Sequence, residues 1–214
     1  MIIAGIDEAG RGPMIGPLVI GIVCIDEKDE PRLKELGVKD SKLLSPLQRE
    51  RIAEELRKFC KYELVKLSPA QIDHAVESEE TNLNWLEADT AIGLLNKHRP
   101  AKAFIDCPSA NPKAYTDYLK AKLNAKTELV VEHKADFKYL VVGAASILAK
   151  VARDAEIEAL KKKHGVEFGS GYPADPRTVE FTKKNFDKYD FFRKSWASWK
   201  NAAKRESQKK LGGF

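Results

Sequence analysis

An apolar run, Ile2-Ile3-Ala4-Gly5-Ile6, ends in two adjacent acids, Asp7 and Glu8, and opens at once into Gly10-Arg11-Gly12-Pro13. No other feature limits the fold of this chain as strongly. An apolar run of that length bounded by glycines is a buried strand. Acids at its end, opening into a glycine-rich loop, stand where an open α/β sheet holds its ligands. Uncompensated charge there is costly, which points to a bound cation. For the pair alone, solvated acids at an ordinary strand end explain the pattern better.

Two later strands end in the same way. Ala103-Phe104-Ile105 leads into Asp106 before Cys107-Pro108 breaks the run, and Glu128-Leu129-Val130-Val131-Glu132 leads through His133-Lys134-Ala135 to Asp136. Taken singly, Asp106 could be a turn residue and Asp136 the N-cap of the helix that follows. Taken together, acids after three strands make an oxygen-only cluster. Such a cluster suits a hard cation, Mg²⁺ or Mn²⁺, rather than zinc.

The stretch Asp7-Glu8-Ala9-Gly10-Arg11-Gly12-Pro13, followed by Ile15-Gly16-Pro17, resembles the N-terminal signature of ribonuclease HII in its archaeal branch. Asp40-Ser41-Lys42-Leu43 and Gly171-Tyr172-Pro173 fall in that family's order, and the resemblance runs from residue 1 to about Tyr189. It implies a ribonuclease H-like fold: a mixed, mostly five-stranded sheet flanked by helices. It also implies a metal-dependent endoribonuclease acting on the RNA strand of RNA–DNA hybrids. Incision 5′ of a single ribonucleotide in duplex DNA, leaving 3′-hydroxyl and 5′-phosphate ends, belongs to the same expectation, as does a part in ribonucleotide excision repair. By resemblance Asp7, Glu8, Asp106 and Asp136 are the catalytic, metal-binding acids, with Asp7 between two ions of Mg²⁺ or Mn²⁺.

The remaining chain alternates strands and helices, as an α/β domain does. Leu18 to Ile25 is a second strand beside the first, and Tyr62 to Leu67 a third. Ser45-Pro46-Leu47-Gln48 and Ser68-Pro69-Ala70-Gln71 both combine an N-cap, a proline at the first helical position and a capping-box glutamine. Helices are expected from about Asn82 to Lys97, from Asn111-Pro112 to near Leu123, and from roughly Lys138 to His164, with another opened by Asp175-Pro176. Gly143, Ala144, Ala145 and Ala149 would let the long helix approach the sheet closely. A catalytic domain over 1–168 and a helical, basic extension over 169–214 are expected.

Substrate contacts follow partly from spacing. Ser146, Lys150 and Arg153 lie at i, i+4 and i+7, on one helical face. Charges so spaced most often form a solvated face; the resemblance makes them, with Lys42, contacts to the nucleic-acid backbone. Glycines allow backbone groups to approach a ligand, so Gly10, Arg11 and Gly12 suit recognition of a ribose 2′-hydroxyl, although a tight turn needs the same residues. Tyr172 could be a packed surface aromatic. By resemblance it stacks on the sugar beyond the ribonucleotide.

Charge is unevenly distributed. The net charge is +5, but the segment from Arg193 carries seven basic residues against Glu206, so residues 1–192 are close to neutral. That segment could contact nucleic acid or be a solvated helix face. Phe192, Trp196 and Trp199, at i, i+4 and i+7, are expected to dock a terminal helix on the catalytic domain and leave the basic residues facing solvent or DNA. Gln208, Leu211 and Phe214 resemble the core of a peptide that binds a sliding clamp of the PCNA type, without the second aromatic such peptides usually carry. Cys24, Cys60 and Cys107 lack metal or redox spacing, and His74, His98, His133 and His164 lack triad or zinc spacing. No membrane span or secretory signal is visible, so a monomeric cytoplasmic protein is expected. A metal-dependent phosphatase would share the acids but not the glycine loop and basic face. A non-enzymatic nucleic-acid binder would not explain acids that repel phosphate.

Overall fold

The computed structural model describes residues 1–39 and 41–211, with side chains described through Lys204. Asp40, the side chains of Gln208 and Leu211, and Phe214 therefore lie outside the described residues. Strands β1 (Ile2–Ala9), β2 (Leu18–Asp26), β3 (Lys61–Leu67), β4 (Lys102–Asp106) and β5 (Glu128–Glu132) form one sheet in the order β3-β2-β1-β4-β5. β1 runs antiparallel to β2 and parallel to β4, and β4 is parallel to β5. The mixed five-stranded sheet implied by the resemblance is present.

Helices α1 (Glu30–Glu35), α2 (Pro46–Phe59), α4 (Leu83–His98), α5 (Pro112–Lys122), α6 (Ala135–Lys138) and α7 (Leu140–His164) flank it, and the chain also forms α3 (Pro69–Glu77), α8 (Pro176–Asn185) and α9 (Ala197–Leu211). Both serine capping boxes form, and Asn111 and Asp175 cap α5 and α8 with their side chains. The long helix α7 starts two residues after the expected Lys138, because Tyr139 is extended and separates it from the short α6. Asp136 thus lies inside the one-turn α6 and does not cap α7.

Close approach of α7 to β1 decides where the acids sit. A Cβ on Gly5 would lie 2.3 Å from the Val141 carbonyl, so only glycine allows the helix backbone to rest on the strand. Ala144, Ala145 and Ala149 are fully buried, as expected of that face. Gly143 has a different neighbour: a Cβ there would lie 3.3 Å from the Asp136 carbonyl oxygen and from Val38. Around this contact a core gathers from β1, β2, α1, α2 and α7, including Ile3, Val23, Leu33, Leu56 and Leu148.

Compactness divides the chain into two units, and the division does not fall at residue 168. One unit holds Met1–Ala9, Val19–Lys66 and Leu83–Ala152; the other holds Gly10–Leu18, Leu67–Asn82 and the chain from Arg153 onward. The Gly10 segment belongs to the second because its backbone is bonded there. Met14 N–H donates to Gly171 C=O, Gly16 N–H to Phe191 C=O, and Arg193 N–H to Met14 C=O, each at 2.9 Å. Met14, Ile15, Ile157, Phe168, Phe191 and Phe192 form that unit's core, with Trp196 and Trp199 packed against it. The three aromatics are therefore packing residues as expected, though only Trp199 stands on α9.

Candidate active site

Strand alternation separates the first two acids and strand pairing supplies the third. Along β1 successive side chains point to opposite faces, so Asp7 shares the face of Gly5 and Ala9, toward α7, while Glu8 shares that of Ile6. Ile6 is in register with Ile105, which sets Asp106 beside the end of β1. One carboxylate oxygen from each of Asp7, Glu8 and Asp106 lies within 4.8 Å of the others. Glu87 of α4, a carboxylate that sequence reasoning passed over, lines the same pocket and is 3% exposed. Its signal was an acid sharing a helical face with Leu83, Ala91 and Leu94.

The cluster is electrostatically strained. Asp7 is 5% exposed, and burial, then Glu8 and Asp106, hold its carboxyl well above the usual range. A hydrogen bond from Ser146 and one from the Glu8 N–H, at 2.7 Å, oppose that rise. Ser146 Oγ also lies 3.0 Å from Ser41 Oγ. Asp106 is likewise raised, chiefly by burial and further by Asp136, against the lowering effects of the Ala135 N–H, Lys42 and His133. The Ala135 N–H reaches Asp106 Oδ1 at 2.7 Å because Lys134, ahead of it, takes a left-handed conformation with φ 58°. A non-glycine residue held there stores on the order of 1 kcal/mol of strain. Asp136, 7% exposed, lies outside the three-oxygen cluster and meets Lys42 Nζ at 3.8 Å.

In the second unit the glycine loop and Tyr172 are built around two buried arginines. Gly10 has φ +88°, and a Cβ there would sit 2.9 Å from the Pro17 carbonyl oxygen and 3.1 Å from Arg153 Cγ. Arg153, 2% exposed, donates to the Ser170 carbonyl at 2.9 Å and lies 5.0 Å from the centre of the Tyr172 ring. Arg193 is fully buried and donates to the carbonyl oxygens of Gly10, Arg11 and Gly16 at 2.6, 3.0 and 3.0 Å.

Known proteins resemble this chain in sequence and in fold. The family model for ribonuclease HII matches residues 4–199. A ribonuclease HII of Pyrococcus horikoshii is 44% identical over 99% of this chain and 97% of its own. One from Methanocella arvoryzae is 46% identical over 91% and 88%. The chain belongs to the ribonuclease HII family. Among solved structures, ribonuclease H2 from Pyrococcus horikoshii superposes with a TM-score of 0.88 at 44% identity, covering 97% of this chain and all of the other. The PCNA:RNase HII complex from Archaeoglobus fulgidus gives 0.83 at 42% identity, covering 94% and 96%.

As a ribonuclease HII, the chain is a phosphodiester endonuclease of the ribonuclease H type, acting on RNA–DNA hybrids with a divalent metal. The donor set fits such an ion. Three hard oxygen ligands converge, and the raised Asp7 and Asp106 carboxyls mark negative charge that the protein itself leaves under-compensated. Asp7, Glu8 and Asp106 would hold it. No helix among the described residues is long and apolar enough to cross a membrane.

Two expectations change at this site. The face expected from Ser146, Lys150 and Arg153 is not a solvent-facing row. Ser146 is 5% exposed and serves Asp7, and Arg153 is turned inward to Ser170 and Tyr172, leaving Lys150 half-buried. Arg193, counted among solvent-facing basic residues, is instead fully buried. Only its position within an aromatic-rich stretch hinted at this.

Proposed function

We propose that this ribonuclease HII incises duplex DNA on the 5′ side of a single embedded ribonucleotide, as well as cleaving RNA–DNA hybrids, and so takes part in ribonucleotide excision. The convergence of Asp7, Glu8 and Asp106 within 4.8 Å carries the reading. Two Mg²⁺ or Mn²⁺ ions, when bound, would supply an activated water and neutralise the departing oxygen. Asp7, Glu8, Asp106 and Asp136 would hold them. Ser146 and the Glu8 N–H hold the Asp7 carboxylate in one orientation, while Ala135 N–H does the same for Asp106. Hydrolysis breaks the bond between phosphorus and the upstream 3′-oxygen. The water's oxygen stays on phosphorus, which leaves a 5′-phosphate and a 3′-hydroxyl.

Gly10, Arg11 and Gly12, which follow Glu8 directly after Ala9 in the chain, would recognise the 2′-hydroxyl, and Tyr172 would stack on the neighbouring sugar. Lys42, 82% exposed at its side chain, and Lys150 would meet the phosphates. The test is a cleavage assay on duplex DNA holding one ribonucleotide, with Mg²⁺, Mn²⁺ or chelator, and with Asp7→Asn as control. A single metal-dependent cut 5′ of the ribonucleotide, absent in the variant, is expected; a cut elsewhere, or an active variant, sinks the reading.

The tail adds a partner. A relative's structure is that of a PCNA:RNase HII complex, which supports a clamp of the PCNA type as partner for Gln208, Leu211 and Phe214. Calorimetry with such a clamp should show binding that Leu211→Ala combined with Phe214→Ala removes.

A further inference from the structure

Three consecutive carbonyl oxygens of the glycine loop are drawn to one side by the segment that begins at Arg193. Arg193 Nη2 donates to Gly10 C=O and Nη1 to Arg11 C=O, while Trp196 Nε1 donates to Gly12 C=O at 3.3 Å. Arg193 Nε anchors the far end of the loop at Gly16 C=O. The guanidinium also lies 5.1 Å from the centre of the Trp196 ring, so the two side chains support each other. Chain separation is about as large as this molecule permits: Arg193 and Gly10 are 183 residues apart. Backbone dipoles receive these donors.

The consequence follows from the peptide bond itself. The peptides among the described residues are trans, and in a trans peptide the N–H points opposite to the C=O. Drawing the Gly10 and Arg11 carbonyls toward Arg193 therefore turns the Arg11 and Gly12 N–H groups to the other side of the loop. The peptide after Gly12 has no N–H to turn, because Pro13 follows. Gly12 is itself exposed. Two fixed donors on the open side suit a neutral oxygen acceptor, the property that separates a ribose from a deoxyribose. A loop free to flip its peptides would offer carbonyls as often as amides.

We infer that Arg193 and Trp196 are positioning residues for sugar discrimination: they fix the peptide orientation of Gly10-Arg11-Gly12, so that its amides face the 2′-hydroxyl of the substrate. The inference rests on the proposal that this loop recognises the ribose. Neither side chain touches substrate in this scheme, and neither serves the metal.

The test compares affinities for two duplexes, identical except for one ribonucleotide, with EDTA present to prevent cleavage. Arg193→Lys keeps the charge but cannot donate to three carbonyls from a planar fork. Trp196→Phe keeps an aromatic ring, though a smaller one, and removes the one N–H. Losing one or two such bonds should lower the ribo-to-deoxy affinity ratio by about tenfold for Arg193→Lys and by less for Trp196→Phe. Mn²⁺ affinity, measured by calorimetry on the same proteins, should stay within about twofold, as expected of residues that hold no metal. A lowered melting temperature with an unchanged affinity ratio would show a merely structural role and overturn the inference. Should Arg193→Lys fail to fold, Trp196→Phe decides alone by the same ratio.

Gly12→Ala separates the two levels of the argument. Its Cβ would meet nothing nearer than Tyr172 Cε1 at 3.9 Å, so the fold accommodates it while a methyl group enters the open side of the loop. If this variant loses discrimination and the Arg193 and Trp196 variants do not, the loop still recognises ribose and the positioning role is wrong. If Gly12→Ala also leaves the ratio unchanged, the ribose reading fails and the inference with it.

Discussion

The acid cluster and the glycine loop are neighbours in sequence, with Gly10 two residues beyond Glu8, yet they are stabilised in opposite ways. The cluster assembles groups that oppose each other: burial and Glu8 raise Asp7, and burial and Asp136 raise Asp106. The loop assembles groups that satisfy each other, with Arg193 and Trp196 matched donor for acceptor to its carbonyls. One region stores free energy that a cation can release. The other stores shape. Metal and pH should therefore act on the first, and sugar identity on the second.

The largest expected effect breaks the cluster. Asp7→Asn removes a charge that metal needs while keeping the side chain's size. Metal stabilisation of transition-state charge contributes several kcal/mol, so single-turnover cleavage should fall by about a thousandfold or more. Affinity for the ribonucleotide duplex should survive, since the loop is intact. Activity within tenfold of the parent chain would mean that the two regions do not divide the labour in this way.

Next in size is Gly5→Ala. The added methyl group would need to occupy space 2.3 Å from the Val141 carbonyl carbon. Either β1 or α7 must shift, at a cost of about 2–3 kcal/mol in urea denaturation. Because the same strand carries Asp7 and the same helix carries Ser146, Mn²⁺ affinity should fall with stability. A variant as stable as the parent would show that the close approach is not needed to set the cluster.

The two regions also differed in how far they could be seen in advance. Asp7, Glu8 and Asp106 were legible because each ends an apolar run, and parallel pairing brings strand ends together. Capping at Ser45 and Ser68 was legible because its chemistry is local. The break at Tyr139 was not, since Asp136 before an apolar helix satisfies the ordinary N-cap pattern. Arg153 was misjudged because helical spacing specifies a shared face without saying what covers it. Arg193 was misjudged because its partners are backbone carbonyls about 180 residues away, and carbonyls leave no trace in side-chain pattern. Gly5 was noticed as part of a strand, but its purpose depends on a helix that starts 135 residues later.

A smaller effect concerns pH without metal. In the unfolded chain an aspartate titrates near 4, and in the fold Asp7 and Asp106 titrate higher. As pH rises above about 4, the unfolded chain gives up these protons first, so the native state holds more of them and stability declines. Asp7→Asn should therefore make the metal-free protein more stable than the parent at neutral pH, with the difference shrinking toward pH 4. Saturating Mn²⁺ should reverse the order at neutral pH, because only the parent retains its full ligand set. Thermal melts at the two pH values, with and without metal, measure this directly. A metal-free parent more stable than Asp7→Asn at neutral pH would contradict the electrostatic half of the comparison.

The smallest effect separates two cations that looked alike in sequence. Lys42 has an exposed ammonium 3.8 Å from Asp136, and it also lowers Asp106. Such a group can turn from a carboxylate to a phosphate at little cost, because an ion pair exposed on one side is worth only a fraction of a kcal/mol to about 1 kcal/mol. Arg153 cannot, since it is enclosed beneath Tyr172 and bonded to Ser170. Lys42→Met should make the salt dependence of duplex affinity shallower by about one unit of log–log slope, the signature of one lost phosphate contact. Arg153→Lys should leave that slope unchanged while weakening discrimination between ribose and deoxyribose, because the loss falls on the support of Tyr172 and Gly10. Equal slope changes in the two variants would show that burial does not sort these cations. Arg153 would then return to the phosphate-binding role that its spacing from Ser146 and Lys150 suggested.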